Sequence, residues 1–342
     1  MDKILLKKIL SDFQISDDLL TFNKISSGYI NDTFKVFTNN TPKYILQKIN
    51  SKVFKNPEYI FHNINLIKDN SVNIGITFIN SKSNKPYTIN NSAYWRLMNY
   101  EPGSKTFNTT NDNLVAFESG KVLSNFHEKL KNLDLTNFKE IIPNFHNLTL
   151  RLIQFEKACN YKENNCFNEI ALIKKLSTNF DIIDNTKLEI RLCHNDSKLN
   201  NILFNQANKG LYLIDIDTIM PGSILYDFGD CVRTLVNTVS EEEKDLNKIE
   251  FNKEMFKFFI DGFKPSLKTI NKNELKLLSL SVALMPFLHG VRALTDHLNG
   301  NKYFKVTYEN QNLIRAKNLI KFSEIALLNK EYMTRLITKN SI

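Results

Sequence analysis

The most specific pattern in the chain is HNDSKLNN at residues 194–201, followed after a short predicted hairpin by LIDID at residues 213–217. The first stretch is a polar loop, and the second is an apolar strand that ends in carboxylates. The loop motif alone is weak in a chain so rich in asparagine. Its context is specific, because a His-x-Asp-x-x-x-x-Asn loop that leads through one hairpin to a strand-end aspartate is the layout that phosphoryl transfer needs. The two stretches therefore predict a phosphoryl-transfer site.

Five side chains of these stretches would share the chemistry. Asp196 would accept the proton of the attacking hydroxyl as catalytic base. Asn201 and Asp215 would hold Mg²⁺ against the phosphates of ATP through oxygen ligands. Lys198 would offset charge on the transferring phosphoryl group, and His194 would orient the loop. Asp196, Lys198 and His194 are thus the expected catalytic set.

The same residues also fit a purely structural interpretation. His194 and Asp196 would then cap a turn, Asn201 would close a hairpin, and Asp215 and Asp217 would be solvated residues at a strand end. We favour the catalytic interpretation, because polar residues at these offsets among short apolar strands satisfy one mechanism at once. Asp217 has two open roles: it would ligate a second Mg²⁺ or hydrogen-bond the loop.

Composition excludes several other classes of protein. The 342 residues are 42% hydrophobic and 24% charged, which predicts a folded chain long enough for two packed units. The ten glycines form neither GxGxxG nor a Walker A loop. The four cysteines form no CxxC and the six histidines no HExxH, so the sequence suggests neither a structural zinc site nor a redox pair.

Charge and hydropathy bear on partners and location. The net charge of +9 favours anionic ligands, but the basic residues are scattered and match no nucleic-acid-binding module, so we expect no nucleic acid partner. The first ten residues carry charges where a signal peptide needs an apolar core. The apolar stretch 277–294 contains Ser279, Pro286 and Arg292, which favours a buried helix over a membrane span. A cytoplasmic location fits the cysteine usage best.

Hydrophobic periodicity predicts an α+β chain that changes character near residue 100. Before it, strands are predicted at 33–37, 44–49, 76–79 and 94–98, with a helix over 53–68 that Asn56 caps and Pro57 opens. After it, helices are predicted at 113–130, at 153–176 and from 227 nearly to the end, with short strands at 203–204 and 211–214. We therefore divide the chain into a lobe at 1–98, a hinge at 99–103 and a second lobe at 104–342.

Several stretches resemble the aminoglycoside phosphotransferase and choline kinase superfamily, and within it the N-acetylhexosamine 1-kinases. Besides the loop and the LIDID strand, they are GYINDTF (28–34), YILQKIN (44–50), VF (53–54), IPNFH (142–146), TIMPG (218–222), YDFGDCVR (226–233) and VRALTDHL (291–298). The resemblance covers most of the chain. It implies a two-lobed protein-kinase-like fold, with a small antiparallel-sheet N-terminal lobe and a larger, mostly helical C-terminal lobe.

The resemblance also implies where ATP binds. The hinge, including Tyr100, and a nucleotide-facing loop that contains Gly28, Asn31 and Thr33 would contact the nucleotide. The alternative for this loop is an ordinary turn between strands.

The sequence departs from the kinase pattern on strand three. The phosphate-anchoring lysine of that strand should fall at Gln47, whereas Lys48 follows one place later and faces the other side. Either Lys48 reaches the phosphates through a local irregularity, or Gln47 makes a weaker polar contact. Glu58, in the following helix, would be the usual partner of the lysine.

The acceptor that the resemblance implies is a small molecule, an amino sugar in the N-acetylhexosamine 1-kinases. Arg292 would contact the sugar, or it would form a structural ion pair with Asp296 one turn later; Asp296 is also among the expected acceptor-site residues. Tyr29 and Thr234 stand near the expected sugar pocket, where the family pattern has histidine and an aromatic residue.

The implied activity is ATP- and Mg²⁺-dependent phosphorylation of the anomeric hydroxyl of N-acetylglucosamine or N-acetylgalactosamine. The alternatives are a kinase for an amino alcohol such as choline or homoserine, a kinase for an aminoglycoside, and a non-catalytic nucleotide-binding protein.

Overall fold

The computed structural model describes residues 3–16, 19–25, 30–159 and 166–341. The chain divides into two compact units. The first consists of Met1–Ser104 with Phe138–Ile142, and the second of Lys105–Asn137 with Pro143–Ile342.

The first unit is built on an antiparallel sheet. Its elements are α1 (Lys3–Asp12), β1 (Thr21–Ile25), β2 (Asp32–Thr38), β3 (Thr41–Lys48), α2 (Pro57–Asp69), β4 (Phe78–Ile79), β5 (Thr88–Asn90) and β6 (Ala93–Asn99). The strand order is β1-β2-β3-β6-β4, and β5 also pairs with β6. Alternate residues of the strands, such as Phe34, Leu46 and Trp95, are buried in one core with Leu6 and Ile9 of α1. The sheet therefore has one face packed against α1.

The sequence predicted four of these strands and missed α1, β1 and β5. Strand 76–79 shortens to Phe78–Ile79, and the helix predicted from residue 53 begins only at Pro57. Proline fixes φ and has no N–H to donate, so it suits the first turn of a helix. Asn56 precedes it at the N-cap position but forms no side-chain capping bond.

A short segment that is distant in sequence completes this unit. Asn63 of α2 is fully buried, and its amide bonds both backbone groups of Lys139: Nδ2 donates to the carbonyl at 2.9 Å, and Oδ1 accepts from the amide at 2.8 Å. A buried side-chain amide that meets a backbone amide in this paired way leaves no polar group unsatisfied. The contact explains why Phe138–Ile142 belongs to the first unit.

The second unit is mainly helical. Its elements are α3 (Asn113–Leu130), α4 (Leu148–Cys159), α5 (Phe167–Ser177), α6 (Asp181–Asp184), β7 (Arg191–Cys193), β8 (Ile202–Phe204), β9 (Gly210–Leu213), β10 (Met220–Gly222), α7 (Ile224–Val236), α8 (Lys253–Leu267), α9 (Lys272–Leu298), α10 (Gln311–Leu328) and α11 (Lys330–Ser341). The α3 prediction has the right bounds. The single helix predicted over 153–176 is wrong, because α4 ends at Cys159 and α5 begins at Phe167.

Two glycines let α3 and α8 approach closely. A Cβ on Gly120 would lie 2.1 Å from the carbonyl oxygen of Phe259, and one on Gly262 would lie 1.9 Å from that of Phe117. Any side chain at either position would force the helices apart. Glycine is therefore required here for the crossing, although it lowers helix propensity.

Helix α9 is the core of the second unit. It is long and apolar enough to pass a composition test for a membrane span, but 89% of that window is buried inside the protein. The prediction of a buried helix for this stretch is confirmed. The α+β class, with a small antiparallel-sheet unit and a larger helical unit, is also confirmed.

Candidate active site

The predicted catalytic loop lies between two small antiparallel strand pairs of the second unit. It leaves β7, which pairs with β10, and it ends in a 3₁₀ turn at Leu199–Asn201 that leads into the β8–β9 hairpin. The last strand of the hairpin ends just before Asp215. Both polar stretches of the sequence motif are thus held by short strands at their base.

The side chain of Asp227, in α7, holds the backbone at the start of the loop. Its carboxylate accepts the backbone N–H of His194 at 2.8 Å and that of Asn195 at 2.6 Å. Nε2 of His127 lies 3.1 Å from the same carboxylate, and Asp227 is fully buried. Hydrogen bonds to a buried carboxylate are short and strong, so this side chain determines the path of the loop.

Asn195 holds the loop from the side in a left-handed backbone conformation, with φ 62°. Its Nδ2 donates to the carbonyls of Cys193, Thr218 and Met220 at 3.0 to 3.1 Å. Gly222 leaves room for this amide, because a Cβ there would lie 2.7 Å from Oδ1 of Asn195. Asparagine tolerates this backbone region better than most residues.

His194 connects the loop to the end of the LIDID strand. Its Nε2 lies 2.9 Å from the carbonyl of Ile214, and its Nδ1 accepts the backbone N–H of Asp196 at 3.3 Å. These contacts fit the neutral ring protonated at Nε2. Burial lowers the pKa of His194, which also favours the neutral form. Since the ring is fully buried, His194 is a positioning residue.

Two more side-chain hydroxyls hold the rest of the loop. Oγ of Ser197 donates to the carbonyl of Asp227 at 2.7 Å. Oγ1 of Thr234 accepts the backbone N–H of Leu199 at 2.8 Å and faces the carbonyls of Asp230 and Cys231. The single donor of the Thr234 hydroxyl is therefore used inside the protein and is not available to donate to a sugar.

The loop presents Asp196 and Lys198 to solvent while the residues between and beside them are buried. Their side chains are 23% and 24% exposed. Nζ of Lys198 lies 2.9 Å from Oδ2 of Asp196, and Nδ2 of Asn201 donates to the same oxygen at 2.8 Å. Burial is the largest single influence and would raise the pKa of Asp196, but the charge and the hydrogen bond of Lys198, together with His194, lower this pKa overall. Asp196 is therefore ionised at neutral pH, as a base must be.

Asp215 and Asp217 provide the oxygen ligands that a divalent cation prefers. Asp215 has the left-handed φ of 59° and starts a 3₁₀ turn, and Asp217 is 2% exposed. Burial would lower the pKa of Lys198, but the negative charges of Asp196 and Asp215 help to raise it overall. The backbone N–H of Ile214 donates to the carbonyl of Asn201 at 2.8 Å. Because Nδ2 of Asn201 is taken by Asp196, its Oδ1 is the atom left for a metal, and the donor set fits Mg²⁺.

A buried network of acids and arginines lies beside the loop, in α7 and the segment after it. Arg233 donates to Asp230 at 2.8 Å and bonds Glu241, which also accepts from Arg315 at 2.7 Å. Burial is the largest single influence and would raise the pKa of Asp230, but Arg233, His289 and Lys198 together hold this pKa well below the ordinary range. The carboxylates of this network are thus already compensated by arginine.

Arg292 of α9 lies among aromatic rings. Its guanidinium is 5.2, 5.6 and 5.7 Å from the ring centroids of Phe145, Tyr303 and Phe304. Nη2 is 3.4 Å from the hydroxyl of Tyr303. Burial lowers the pKa of Arg292, and the charge of Asp196 acts weakly in the opposite direction, so the cation lies within electrostatic range of the expected base.

Of the two alternatives for Arg292, the ion pair with Asp296 is not formed. The oxygens of Asp296 accept the backbone N–H groups of Lys302, Tyr303 and Phe304 at 2.8 to 2.9 Å, together with Nδ2 of Asn312 at 3.0 Å. Four donors satisfy a buried carboxylate without a cation. Asp296 therefore orders the segment that carries Tyr303, and in this way it acts on the surroundings of Arg292.

In the first unit, four of the described residues that were predicted to bind nucleotide form contacts within the protein. Oδ1 of Asn31 accepts the backbone N–H of Asn50 at 3.0 Å, and the ring of Tyr100 lies under Lys35 at 4.7 Å. Nε2 of Gln47 donates to Oγ1 of Thr33 at 3.0 Å. Gly28 and Tyr29 lie outside the described residues.

Gln47 and Lys48 are the last two residues of β3, and successive side chains of a strand point to opposite faces. Glu58 does not meet a lysine there: Oε1 accepts the hydroxyls of Tyr94 at 3.1 Å and Tyr87 at 3.4 Å. The kinase arrangement of a lysine on this strand with a glutamate on the next helix is thus absent from the described part of the first unit.

Comparison with known proteins assigns the family. A sequence profile of the phosphotransferase enzyme family matches residues 21–248, about two thirds of the chain. The chain belongs to the phosphotransferase enzyme family. It is accordingly a small-molecule phosphotransferase of the aminoglycoside phosphotransferase and choline kinase superfamily, as the loop motif indicates.

Solved structures show that this phosphotransferase shares its fold with small-molecule kinases. A microcompartment-associated aminopropanol kinase is 14% identical, with TM-score 0.67 and 99% of each chain covered. A spectinomycin phosphotransferase, solved with ADP and spectinomycin, is 15% identical, with TM-score 0.62 and 96% of this chain and 98% of the other covered. A choline kinase from Streptococcus pneumoniae is 13% identical, with TM-score 0.59 and coverage of 94% and 98%. At these identities the likeness shows the fold alone.

Sequence reasoning on this phosphotransferase missed the buried residues that hold the site residues in place. Asp227 and Asp230 stand in the quoted stretch YDFGDCVR, yet no role followed from it. A signal was present, because carboxylates in an apolar helix must meet donors or cations. Arg96 was missed in the same way, as the one charge in the strand AYWRLMN.

Proposed function

We propose that this chain transfers the γ-phosphoryl group of ATP to a hydroxyl of a small molecule, with Asp196 as base. The supporting observation is the presentation of Asp196 and Lys198 on a loop whose backbone is fixed by buried side chains. Asp196 is ionised and can accept the proton of the attacking hydroxyl, while Asn201 orients its carboxylate. Lys198 supplies the charge that stabilises the moving phosphoryl group.

Asn201, Asp215 and Asp217 would hold the divalent cation. Mg²⁺ bound there would neutralise charge on the phosphates and orient them for transfer. The residues themselves provide a rigid, oxygen-rich edge, since Asp215 is fixed by its turn and Asn201 by Asp196. Removing Mg²⁺ with EDTA is therefore expected to abolish turnover, and returning Mg²⁺ in excess to restore it.

We further propose an amino sugar as acceptor, with its anomeric hydroxyl as the phosphorylated group. Arg292, held among aromatic rings within electrostatic range of Asp196, would hydrogen-bond a neutral, hydroxyl-rich molecule. A polycationic acceptor would meet this charge, while Asp230 and Glu241 are already paired with arginines. These features favour a sugar over an aminoglycoside. Amino alcohols such as choline remain the competing acceptors.

The test is ADP release with ATP and Mg²⁺ across N-acetylhexosamines, other free sugars, amino alcohols and aminoglycosides, with matched EDTA reactions. The sharpest pair is N-acetylglucosamine against its methyl glycoside, in which the anomeric oxygen is blocked. We expect turnover with the free sugar and none with the glycoside, and a sugar 1-phosphate in the ³¹P spectrum. Turnover confined to an amino alcohol would refute the acceptor and retain the kinase. No Mg²⁺-dependent turnover with any acceptor would refute the kinase proposal.

A further inference from the structure

Three buried residues that are distant in sequence meet at the start of the catalytic loop. They are His127 of α3, Cys193 of β7 and Asp227 of α7, named here the His-Cys-Asp cluster. Nε2 of the histidine, Sγ of the cysteine and a carboxylate oxygen of the aspartate lie within 4.8 Å of one another. Donors of this kind together suit a transition metal ion. Because the three residues are far apart in sequence, the sequence alone suggests no zinc site.

The donor atoms of the cluster have lone pairs that the protein does not use. Nε2 of His127 is buried and has no hydrogen-bond partner among the described residues, although it lies 3.1 Å from Oδ2 of Asp227. Oδ2 accepts the backbone N–H of His194 at 2.8 Å, and a carboxylate oxygen has a second lone pair. Cys193 is a free, fully buried cysteine. A buried ring nitrogen that bonds no protein group needs a partner, and a metal ion would supply one.

The spacing of the donors suits a tetrahedral zinc ion. Two ligand atoms that each lie about 2.0–2.1 Å from zinc, at the tetrahedral angle, are roughly 3.3 Å apart. The 3.1 Å between Nε2 of His127 and Oδ2 of Asp227 agrees with that separation. Sulfur binds zinc at about 2.3 Å and therefore lies slightly farther from the other ligands. The 4.8 Å within which all three atoms lie allows for this.

A cavity beside the cluster provides a route to it and room for a fourth ligand. The cavity has a volume of about 80 Å³, and its lining includes His127 itself. Leu192, next to Cys193, and Ile224, one turn before Asp227, also line it. A zinc ion with three protein ligands keeps its fourth position for water. A water molecule in this cavity completes the tetrahedron.

We propose that the His-Cys-Asp cluster is a zinc site, separate from the oxygen ligands proposed for Mg²⁺. Zn²⁺ binds Nε2 of His127, the thiolate of Cys193 and Oδ2 of Asp227, and the proton of the thiol leaves to solvent. The ion ties α3, β7 and α7 together where the loop begins, since His194 follows Cys193 directly and donates to the same oxygen of Asp227. Zinc binding therefore stabilises the second unit, whichever molecule accepts phosphate.

Cobalt(II) is the probe of this site, because it replaces zinc in tetrahedral thiolate sites and absorbs light where zinc, a d¹⁰ ion, does not. The full chain is titrated with Co²⁺ in excess Mg²⁺, with its thiols kept reduced, and the thiolate-to-cobalt charge-transfer band is recorded. The variants are Cys193→Ala and His127→Gln. Cys231→Ala is the matched control, because it removes another fully buried cysteine, from α7.

We expect the wild type and Cys231→Ala to give the band with one Co²⁺ per chain, and Cys193→Ala to lose it. His127→Gln should bind Co²⁺ at least about tenfold more weakly, since even residues that only orient a metal ligand contribute that much. Urea denaturation gives a second readout, because an ion that binds only the folded chain raises the free energy of unfolding. Zn²⁺ should raise the urea midpoint of the wild type and of Cys231→Ala, and leave that of Cys193→Ala unchanged.

Three results would overturn the zinc site. They are a wild type without the charge-transfer band, a band that Cys193→Ala retains, and a wild-type urea midpoint that Zn²⁺ does not raise. Should Cys193→Ala fail to fold, His127→Gln decides the question, and a Co²⁺ affinity equal to that of the wild type would then refute the proposal.

Discussion

The structure makes Asp227 the anchor of the catalytic loop, and replacing it with asparagine tests that role. The carboxylate receives two backbone N–H groups at 2.6 and 2.8 Å in a fully buried setting. An amide has one acceptor oxygen, so Asp227→Asn keeps one of these bonds without its charge and turns an NH₂ group toward the other N–H. Losing one charge-assisted bond and leaving one N–H unsatisfied costs about 3–5 kcal/mol of unfolding free energy in all.

Urea denaturation followed by circular dichroism measures this loss, with Asp261→Asn on the exposed face of α8 as the matched control. The folded fraction of Asp227→Asn should also show a lowered kcat with little change in the KM for ATP, because the fully buried Asp227 acts on the site through the backbone of the loop. The reasoning is refuted if Asp227→Asn unfolds within about 0.5 kcal/mol of the wild type, which is the ordinary range for a surface substitution.

Three further outcomes follow from packing, titration and the acceptor region. Gly229→Ala should lower the unfolding free energy by about 1–3 kcal/mol, because the new Cβ would lie 2.3 Å from the carbonyl oxygen of Ser281. An unchanged midpoint of urea denaturation would contradict the close packing of α7 on α9. Burial lowers the pKa of His146 to about 4 and that of His289 to about 3, from 6.5. The unfolded chain therefore binds more protons in this range, and unfolding free energy should fall as pH decreases from about 6.5 to 4, with a flatter profile in His146→Gln. Arg292→Ala should raise the KM for the acceptor about tenfold and leave that for ATP unchanged, and an unchanged acceptor KM would remove Arg292 from the acceptor site.

The loop and the strand-end carboxylates could be predicted from sequence because their chemistry is local. His194, Asp196, Lys198 and Asn201 lie within eight residues, and their spacing alone limits how they can act together. Long helices with clear periodicity, such as α3, were predicted for the same reason. Elements that are short or lie at the end of the chain, such as α1 and β5, gave too few residues for a period to appear.

The supports of the site could not be predicted because they depend on pairs that are distant in sequence. Asp227 meets a loop about thirty residues earlier, and Arg96 meets Gln47 on another strand. The Arg292–Asp296 ion pair, one of the two alternatives that the sequence leaves open, is not formed for a related reason. Helical spacing permits it, but the backbone of a later segment supplies donors to Asp296 instead. Spacing predicts which side chains can meet, and tertiary packing decides which of them do.

The most direct test of the central claim is the single-turnover rate of phosphoryl transfer in Asp196→Asn, measured with the acceptor that supports turnover. The account predicts that the rate falls about 10²–10⁴-fold, the usual contribution of a general base, while the Kd for ATP stays within about twofold of the wild type. Asparagine keeps the size of the side chain but removes its negative charge and, with it, its ability to take a proton. A variant that transfers phosphate at the wild-type rate would contradict the assignment of Asp196 as the catalytic base.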